Sequence, residues 1–202
     1  SAGLVAPLSQ KVAEALAQAP PSTASHLCWA LYHLAVYYRS EEPPGLAPPT
    51  PLSPSVTPLC KALLDAADRA DSAEGNLRLN SFEALNAVLS AADAECARTL
   101  IAPSILPLLG DRLNATFSLP VLNADDLNTK NEWQACYCSA LEVCIRQMPA
   151  DMLVAADANG MSMADKFMHL FLQVFASQNT TATQEALNAV SCVCCALPEG
   201  AF

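Results

Sequence analysis

The sequence predicts an all-α solenoid built from about four antiparallel helix pairs, and three observations carry that reading. The hexapeptide Glu83-Ala84-Leu85-Asn86-Ala87-Val88 recurs unchanged as Glu185-Ala186-Leu187-Asn188-Ala189-Val190, 102 residues further on. Self-similarity at a fixed separation marks an array of like units, and that interval holds two units of about 50 residues. Apolar residues also recur at helical spacing in paired blocks, divided by Pro-rich or polar breaks. Finally, the chain is 52% hydrophobic yet only 6% aromatic, with 6 Gly. Its small and aliphatic residues suit close helix–helix packing better than a sheet, which favours β-branched and aromatic side chains.

The elements follow in order. From Val5 to Ala19 the apolar stripe is Leu8, Val12, Ala15 and Leu16. Pro20-Pro21 ends that helix, and Ser22 or Thr23 caps the next. The second helix, about Ala24 to Tyr38, is expected to bury Leu27, Leu31, Leu34, Ala35 and Tyr38. Residues 40–54 form a stiff Pro-rich loop. Val56 to Ala67 supplies Val56, Leu59, Cys60, Leu63 and Leu64, and Asp68 to Gly75 is a polar turn. Asn76 to Ala92 then supplies Leu79, Phe82, Leu85, Val88 and Leu89. The third pair starts near Glu95 and runs to about Phe117, with Pro103 and Pro107 kinking it or delaying its start. A polar linker, Asn123 to Lys130, leads to a helix from about Asn131 to Met148. The fourth pair is Ser162 to Ser177 and Thr181 to Leu197, separated at Gln178-Asn179. The expected units are residues 4–39, 55–92, 95–148 and 152–198 of one continuous array.

Aligning the second helices puts Trp29, Glu83, Ser139 and Glu185 at one equivalent position, with steps of 54, 56 and 46 residues. The first two steps exceed the ~40–47 usual for HEAT repeats, where loops are inserted. Around that position each second helix carries a stripe separate from its apolar one. The stripes are Ser25, Trp29, Tyr32 and His33; Asn76, Asn80, Glu83 and Asn86; Ala135, Ser139, Glu142 and Arg146; and Thr181, Glu185 and Asn188. Spacings of three and four place each set on one helix face, and second helices line the concave side of a solenoid. The candidate partner-binding residues are therefore Trp29, Glu83, Asn86, Glu142, Glu185 and Asn188. Arg78 and Arg146 are assigned to intramolecular pairs.

Charge and cysteine usage narrow the function. A net charge of −10 argues against a nucleic-acid surface, which needs a basic face, and favours a basic peptide or protein partner. No apolar run approaches the ~18 residues needed to span a bilayer. Most of the 9 cysteines sit inside apolar helical patterns, and Cys136-x-Cys138 and Cys192-x-Cys194-Cys195 fall mid-helix, where i and i+2 point apart. They are small core hydrophobes of a reducing compartment and not a metal set. His26, His33 and His169 assemble no nucleophile–base pair. Asp65, Asp68, Asp71 and Glu74 lack the alternating ligands of a calcium loop. The sequons Asn114-Ala115-Thr116 and Asn179-Thr180-Thr181 matter only in a secreted protein. The expectation is a binding scaffold, no enzyme, with neither cofactor nor metal.

Several segments resemble the importin-β family. His26-Leu27-Cys28-Trp29-Ala30-Leu31-Tyr32-His33-Leu34-Ala35 resembles that family's "N-V-C-W-A-F-x-x-L-A" helix. Asn76-Leu77-Arg78-Leu79-Asn80-Ser81-Phe82-Glu83-Ala84-Leu85 resembles "N-L-R-x-x-A-Y-E-x-L", and Gln184-Glu185-Ala186-Leu187-Asn188-Ala189-Val190-Ser191 resembles "E-D-A-L-x-A-V-S". The closing Leu197-Pro198-Glu199-Gly200-Ala201-Phe202 is similar to "L-G-G-E-F". The matches keep the family's order over nearly the whole chain; residues 40–54 and the two prolines at 103 and 107 depart from it.

The resemblance implies a HEAT-repeat α-solenoid, a right-handed superhelix, excised from about the tenth to fourteenth repeat of a nuclear import receptor. It implies a concave face that takes the basic helix of an importin-α adaptor or a basic cargo, regulation by Ran-GTP, and Phe-Gly nucleoporin contacts on outer helices. It implies residence in cytoplasm and nucleus, including the nuclear pore. A HEAT scaffold of another class, such as a phosphatase regulatory subunit, is the alternative.

Overall fold

The computed structural model describes residues 2–43, 46–157, 160–177 and 180–197. The expected break at Gln178-Asn179, the middle of the Pro-rich loop and the family-like closing residues after Leu197 lie outside them. The chain packs as two compact units, one up to Ala97 and the other from Arg98.

In the first unit, α1 (Val5–Leu16) pairs with α2 (Pro21–Tyr38), and α3 (Val56–Ala67) pairs with α4 (Leu77–Ser90). First helix packs on first, α1 on α3, and second on second, α2 on α4. Each pair thus buries its apolar side on the next pair, as in a solenoid. Pro21 is the first residue of α2, where its missing N–H costs nothing.

The expected stripes hold on α3, which buries Val56, Leu59, Cys60, Leu63 and Leu64, and on α4 for Phe82, Leu85, Val88 and Leu89. Those of α1 and α2 are rotated. α1 buries Val5, Ser9 and Leu16 while Leu8 is 54% exposed. α2 buries Ala24, Cys28, Leu31 and Ala35, leaving Leu27, Leu34 and Tyr38 only half-buried. The physical reason is helix spacing: small side chains at the contact let α2 approach α4 closely, whereas a leucine stripe would hold the two apart. On α4, Leu77 takes the core position and Leu79 is exposed. Gly75 and Asn76 precede α4 with φ of 58° and 57°, the left-handed pair that turns the chain into the helix.

The helical stretch that runs through the boundary at Ala97 is not delayed by its prolines. A turn of α5 (Ala94–Cys96) runs into a π-helical segment, Ala97–Ile105, and then α6 (Leu106–Phe117). Pro103 lies inside the π segment. A proline clashes with the carbonyl four residues back, and the wider π turn relieves that contact.

α7 runs from Ala124 to Gln147, so the expected polar linker is its first two turns. Asn123 caps it, its Oδ1 accepting the Asp126 amide at 2.9 Å, and Asp125 and Asp126 complement the helix dipole. A short α8 (Ala150–Val154), not foreseen, precedes α9 (Met163–Ala176) and α10 (Thr180–Ala196). Ser162 and Asp165 form a reciprocal capping box at the start of α9.

α6 pairs with α7 and α9 with α10, again with α6 on α9 and α7 on α10. α10 buries Ala182, Ala186, Ala189 and Val193, the same i, i+4, i+7, i+11 small-residue pattern as α2. Buried Gln134 on α7 donates from Nε2 to the Thr116 hydroxyl of α6 at 3.1 Å, which links the two helices inside the second unit, while its Oε1 is buried with no hydrogen-bond partner among the described residues.

Candidate partner-binding site

In the first unit, the face of α2 one step round from its buried stripe carries Trp29, Tyr32, Val36 and Arg39. Trp29 is 52% exposed. Its ring centroid stands 4.8 Å from His33 and 6.2 Å from Tyr32, so the indole is held in place by neighbours on its own helix. Across from it α4 presents Glu83, Asn86 and Ser90, and the two helices enclose a cleft of about 430 Å³.

Glu83 is exposed and makes no ion pair among the described residues. An aromatic face beside an unneutralised carboxylate is suited to a cation on a long apolar stem, which stacks on the ring while its charge faces the acid. The rest of the two stripes differs from expectation. Ser25 is buried, and its hydroxyl accepts a hydrogen bond from Asn80, which ties α2 to α4 and removes both from the open face.

In the second unit, Glu142 on α7 and Glu185 and Asn188 on α10 form one cluster. Glu142 is engaged by Arg146, one turn on, and both contact the Cys192 thiol, at 3.7 and 3.6 Å. Arg146 thus makes the intramolecular pair foreseen for it. Burial raises the Glu185 carboxyl above its usual range and the like charge of Glu142 adds to this, while a hydrogen bond from Asn188 opposes them. Beneath them the Cys138 thiol is pushed up to about 12 by burial first and by Glu185 next, which keeps it a neutral core group. Two acids crowded together with one intramolecular arginine form a site that gains from additional positive charge.

Sequence reasoning missed three contributors. Arg39 and Val36 continue the spacing that starts at Trp29 and Tyr32, so the helical face was readable further than it was read. Cys192 carried no polar signal. The cleft between α6 and α9, about 600 Å³, joins Met161, Met163, Phe167 and Leu170 to Gly110 and Asp111, and needed knowledge of which first helices touch. Of the turn acids, Asp65 pairs with Lys61 and Asp71 with Arg69.

This is the architecture of a helical-repeat binding scaffold, with polar and aromatic groups gathered on second helices. A family model described as "Importin subunit beta-1-like, TPR repeats" matches residues 7–202, and the chain belongs to that family. It is 32% identical over 170 residues to importin subunit beta-1 of Arabidopsis thaliana, an alignment covering 84% of this chain and 18% of that protein.

Crystal structures of importin beta share the fold. One grown in ammonium sulfate superposes with a TM-score of 0.80 at 21% identity, covering 96% of this chain and 21% of the other. One grown in polyethylene glycol gives 0.75 at 20% identity, covering 95% and 22%. The expected HEAT-repeat α-solenoid is thereby the fold of this chain, which spans about a fifth of the length of these relatives.

Proposed function

We propose that this chain is a segment of a nuclear import receptor that binds a basic helix of an importin-α-type adaptor or a basic cargo on the concave, second-helix face. The observation that carries the reading is the shared cleft of Trp29 and Glu83, in a chain of net charge −10 that belongs to the importin-β family. Trp29 stacks on an arginine or lysine stem, Glu83 receives its charge, and Asn86 hydrogen-bonds the ligand. On the second unit an incoming arginine competes with Arg146 for Glu142 and relieves the raised carboxyl of Glu185, beside Asn188.

Single exposed ion pairs contribute only roughly 0.2–1 kcal/mol, so useful affinity needs both units engaged at once on one ligand. In the whole receptor the same reading includes release by Ran-GTP and Phe-Gly nucleoporin contacts on first helices, with passage between cytoplasm and nucleus through the pore. Among the described residues no helix is long and apolar enough to cross a membrane.

Isothermal titration of an Arg/Lys-rich adaptor helix against the full receptor tests the reading, comparing the parent with a Glu83→Lys, Glu185→Lys double variant. Weaker, less salt-dependent binding by the variant is the expected result. Equal affinity at low salt removes the groove assignment.

A further inference from the structure

The Pro-rich segment between α2 and α3 carries two overlapping motifs of one kind, Pro48-Pro49-Thr50-Pro51 and Pro51-Leu52-Ser53-Pro54. Each places a hydroxyl directly before a proline with a second proline two residues upstream. The structure gives the two hydroxyls different surroundings. Residues 46–50 have no regular secondary structure, and Thr50 is half-buried. Its Oγ1 accepts the Leu52 amide at 3.2 Å.

Ser53 starts a short 3-10 turn. Its Oγ accepts the Thr50 amide at 2.9 Å, its carbonyl accepts the Cys96 thiol at 3.9 Å, and its hydroxyl is a hydrogen-bonding neighbour of the Asp93 carboxylate. Asp93 is only 4% exposed and caps the following helix through the Cys96 amide at 2.8 Å. The same segment is tied down by the Ala94 amide, which donates to the Ala47 carbonyl at 3.0 Å. Ser53 is therefore a latch between the Pro-rich segment and a buried helix cap.

We propose that Thr50 and Ser53 are phosphoacceptors for a proline-directed Ser/Thr kinase, and that modification of Ser53 releases the segment from Asp93. Thr50 ends a stretch with no regular secondary structure and the proline after it disfavours helical backbone there, which presents Thr50 in the extended form a kinase groove accepts. Ser53, in the 3-10 turn, is presented when that turn opens. The proline that follows asks no backbone N–H of the enzyme. In the transfer the hydroxyl oxygen attacks the γ-phosphorus of a nucleoside triphosphate held by the kinase with Mg²⁺. A P–O bond to the serine or threonine forms, the bond to the bridging oxygen breaks, and the nucleoside diphosphate leaves with that electron pair. The hydroxyl proton passes to the kinase's base.

The product carries about −1.5 to −2 charges. At Ser53 this replaces a hydroxyl with a dianion facing a buried carboxylate, a like-charge contact in low dielectric. At Thr50 the oxygen already acts as an acceptor, so the turn survives.

Incubating the 202-residue chain with Mg-ATP and a purified proline-directed kinase of the mitogen-activated class, followed by site mapping by mass spectrometry, tests this. Thr50→Ala and Ser53→Ala variants and a peptide of residues 46–56 run alongside. Phosphate on both hydroxyls of the parent and on the remaining one in each variant is expected. Hydrogen exchange at the Ala94 and Cys96 amides should then rise at least about tenfold, the scale of a like-charge contact, in phosphorylated Thr50→Ala and not in phosphorylated Ser53→Ala. Phosphate on the peptide but not on the folded chain, phosphate on neither, or phosphate only on Thr57 overturns the site. Equal exchange in the two variants overturns the latch.

Discussion

The guanidinium of Arg69, just past the end of α3, donates to the carbonyl of Leu16 at 2.8 Å and so closes the end of α1 with a side chain from the next helix pair. The same Nη1 reaches the Ala19 carbonyl at 2.9 Å. Asp71 holds the guanidinium from the other side through Nε and Nη2, at 2.9 and 2.8 Å. Helix ends leave carbonyls without intrahelical donors, and here one planar guanidinium supplies the last carbonyl of α1 together with one in the turn that follows it. Arg69→Met keeps much of the apolar stem and removes every donor. It should lower the unfolding free energy by about 1–3 kcal/mol, read as a shifted urea midpoint at unchanged slope. A shift under a few tenths would show that water caps α1 equally well.

Gly75 makes a second prediction. Its φ is +58°, and a Cβ there would stand 3.3 Å from the Ser22 backbone N and Cα. Gly75→Ala meets both the left-handed penalty of roughly 1–2 kcal/mol and contact with a backbone that has no rotamer to yield. Asn76, at φ 57°, tolerates that region better, so Asn76→Gly should change stability little. Thermal melts of Gly75→Ala beside Asn76→Ala, which sits at the same φ but adds no new Cβ, separate local conformation from packing: comparable losses would assign the cost to φ in general.

Much of this was legible from spacing. The pair order, the α3 bounds and the polar and aromatic face through Trp29 and Glu83 follow from 3.6-residue periodicity. The burial register was less legible. Leu8 and Leu79 read as core by hydrophobicity, yet Ser9 and Leu77 occupy those places, because inter-helix distance is set by small residues on the partner helix. The linker at 124–130 misled through its polarity, although Asn123 followed by Asp126 is a cap signal. The state of the acids was legible in part. Arg146 stands one turn past Glu142, an i, i+4 pair that the structure forms, whereas Glu83 has Ala87 at that place and makes no ion pair among the described residues. The raised carboxyl of Glu185 depends on the packing of α10 against α7 and had no signal in the spacing.

Glu185 yields a pH prediction. Its carboxyl is raised above 4.5 in the folded chain, by burial first and Glu142 second. The folded state therefore holds the proton more tightly than the unfolded one. Between the unfolded and folded values the folded chain binds more protons, so this group's contribution to stability falls as pH rises through that window. Glu185→Gln removes the titration. Its melting temperature should match or exceed the parent's at pH 7, and the gap should close as pH drops below about 4.5. A variant less stable than the parent at pH 7 would mean that the ionised carboxylate contributes more than its burial costs.

Trp29 separates binding from folding. The side chain is half exposed and packs on Tyr32 and His33 of its own helix, while α2, which buries Ala24, Cys28, Leu31 and Ala35, packs on α4 with Cys28 reaching Ser81. Trp29→Ala should therefore leave the melting temperature close to the parent's, because surface truncations usually stay within about 0.5 kcal/mol. If the indole stacks on a cationic stem, the same change should weaken adaptor-helix binding by about 0.5–2 kcal/mol, roughly 2- to 30-fold. Trp29→Phe should restore part of that loss, since a phenyl ring keeps a weaker version of the same face. Titration of the three proteins with the basic helix, each melted in parallel, gives the answer. A large drop in melting temperature with unchanged affinity would make Trp29 a packing residue and leave Glu83 to bind alone.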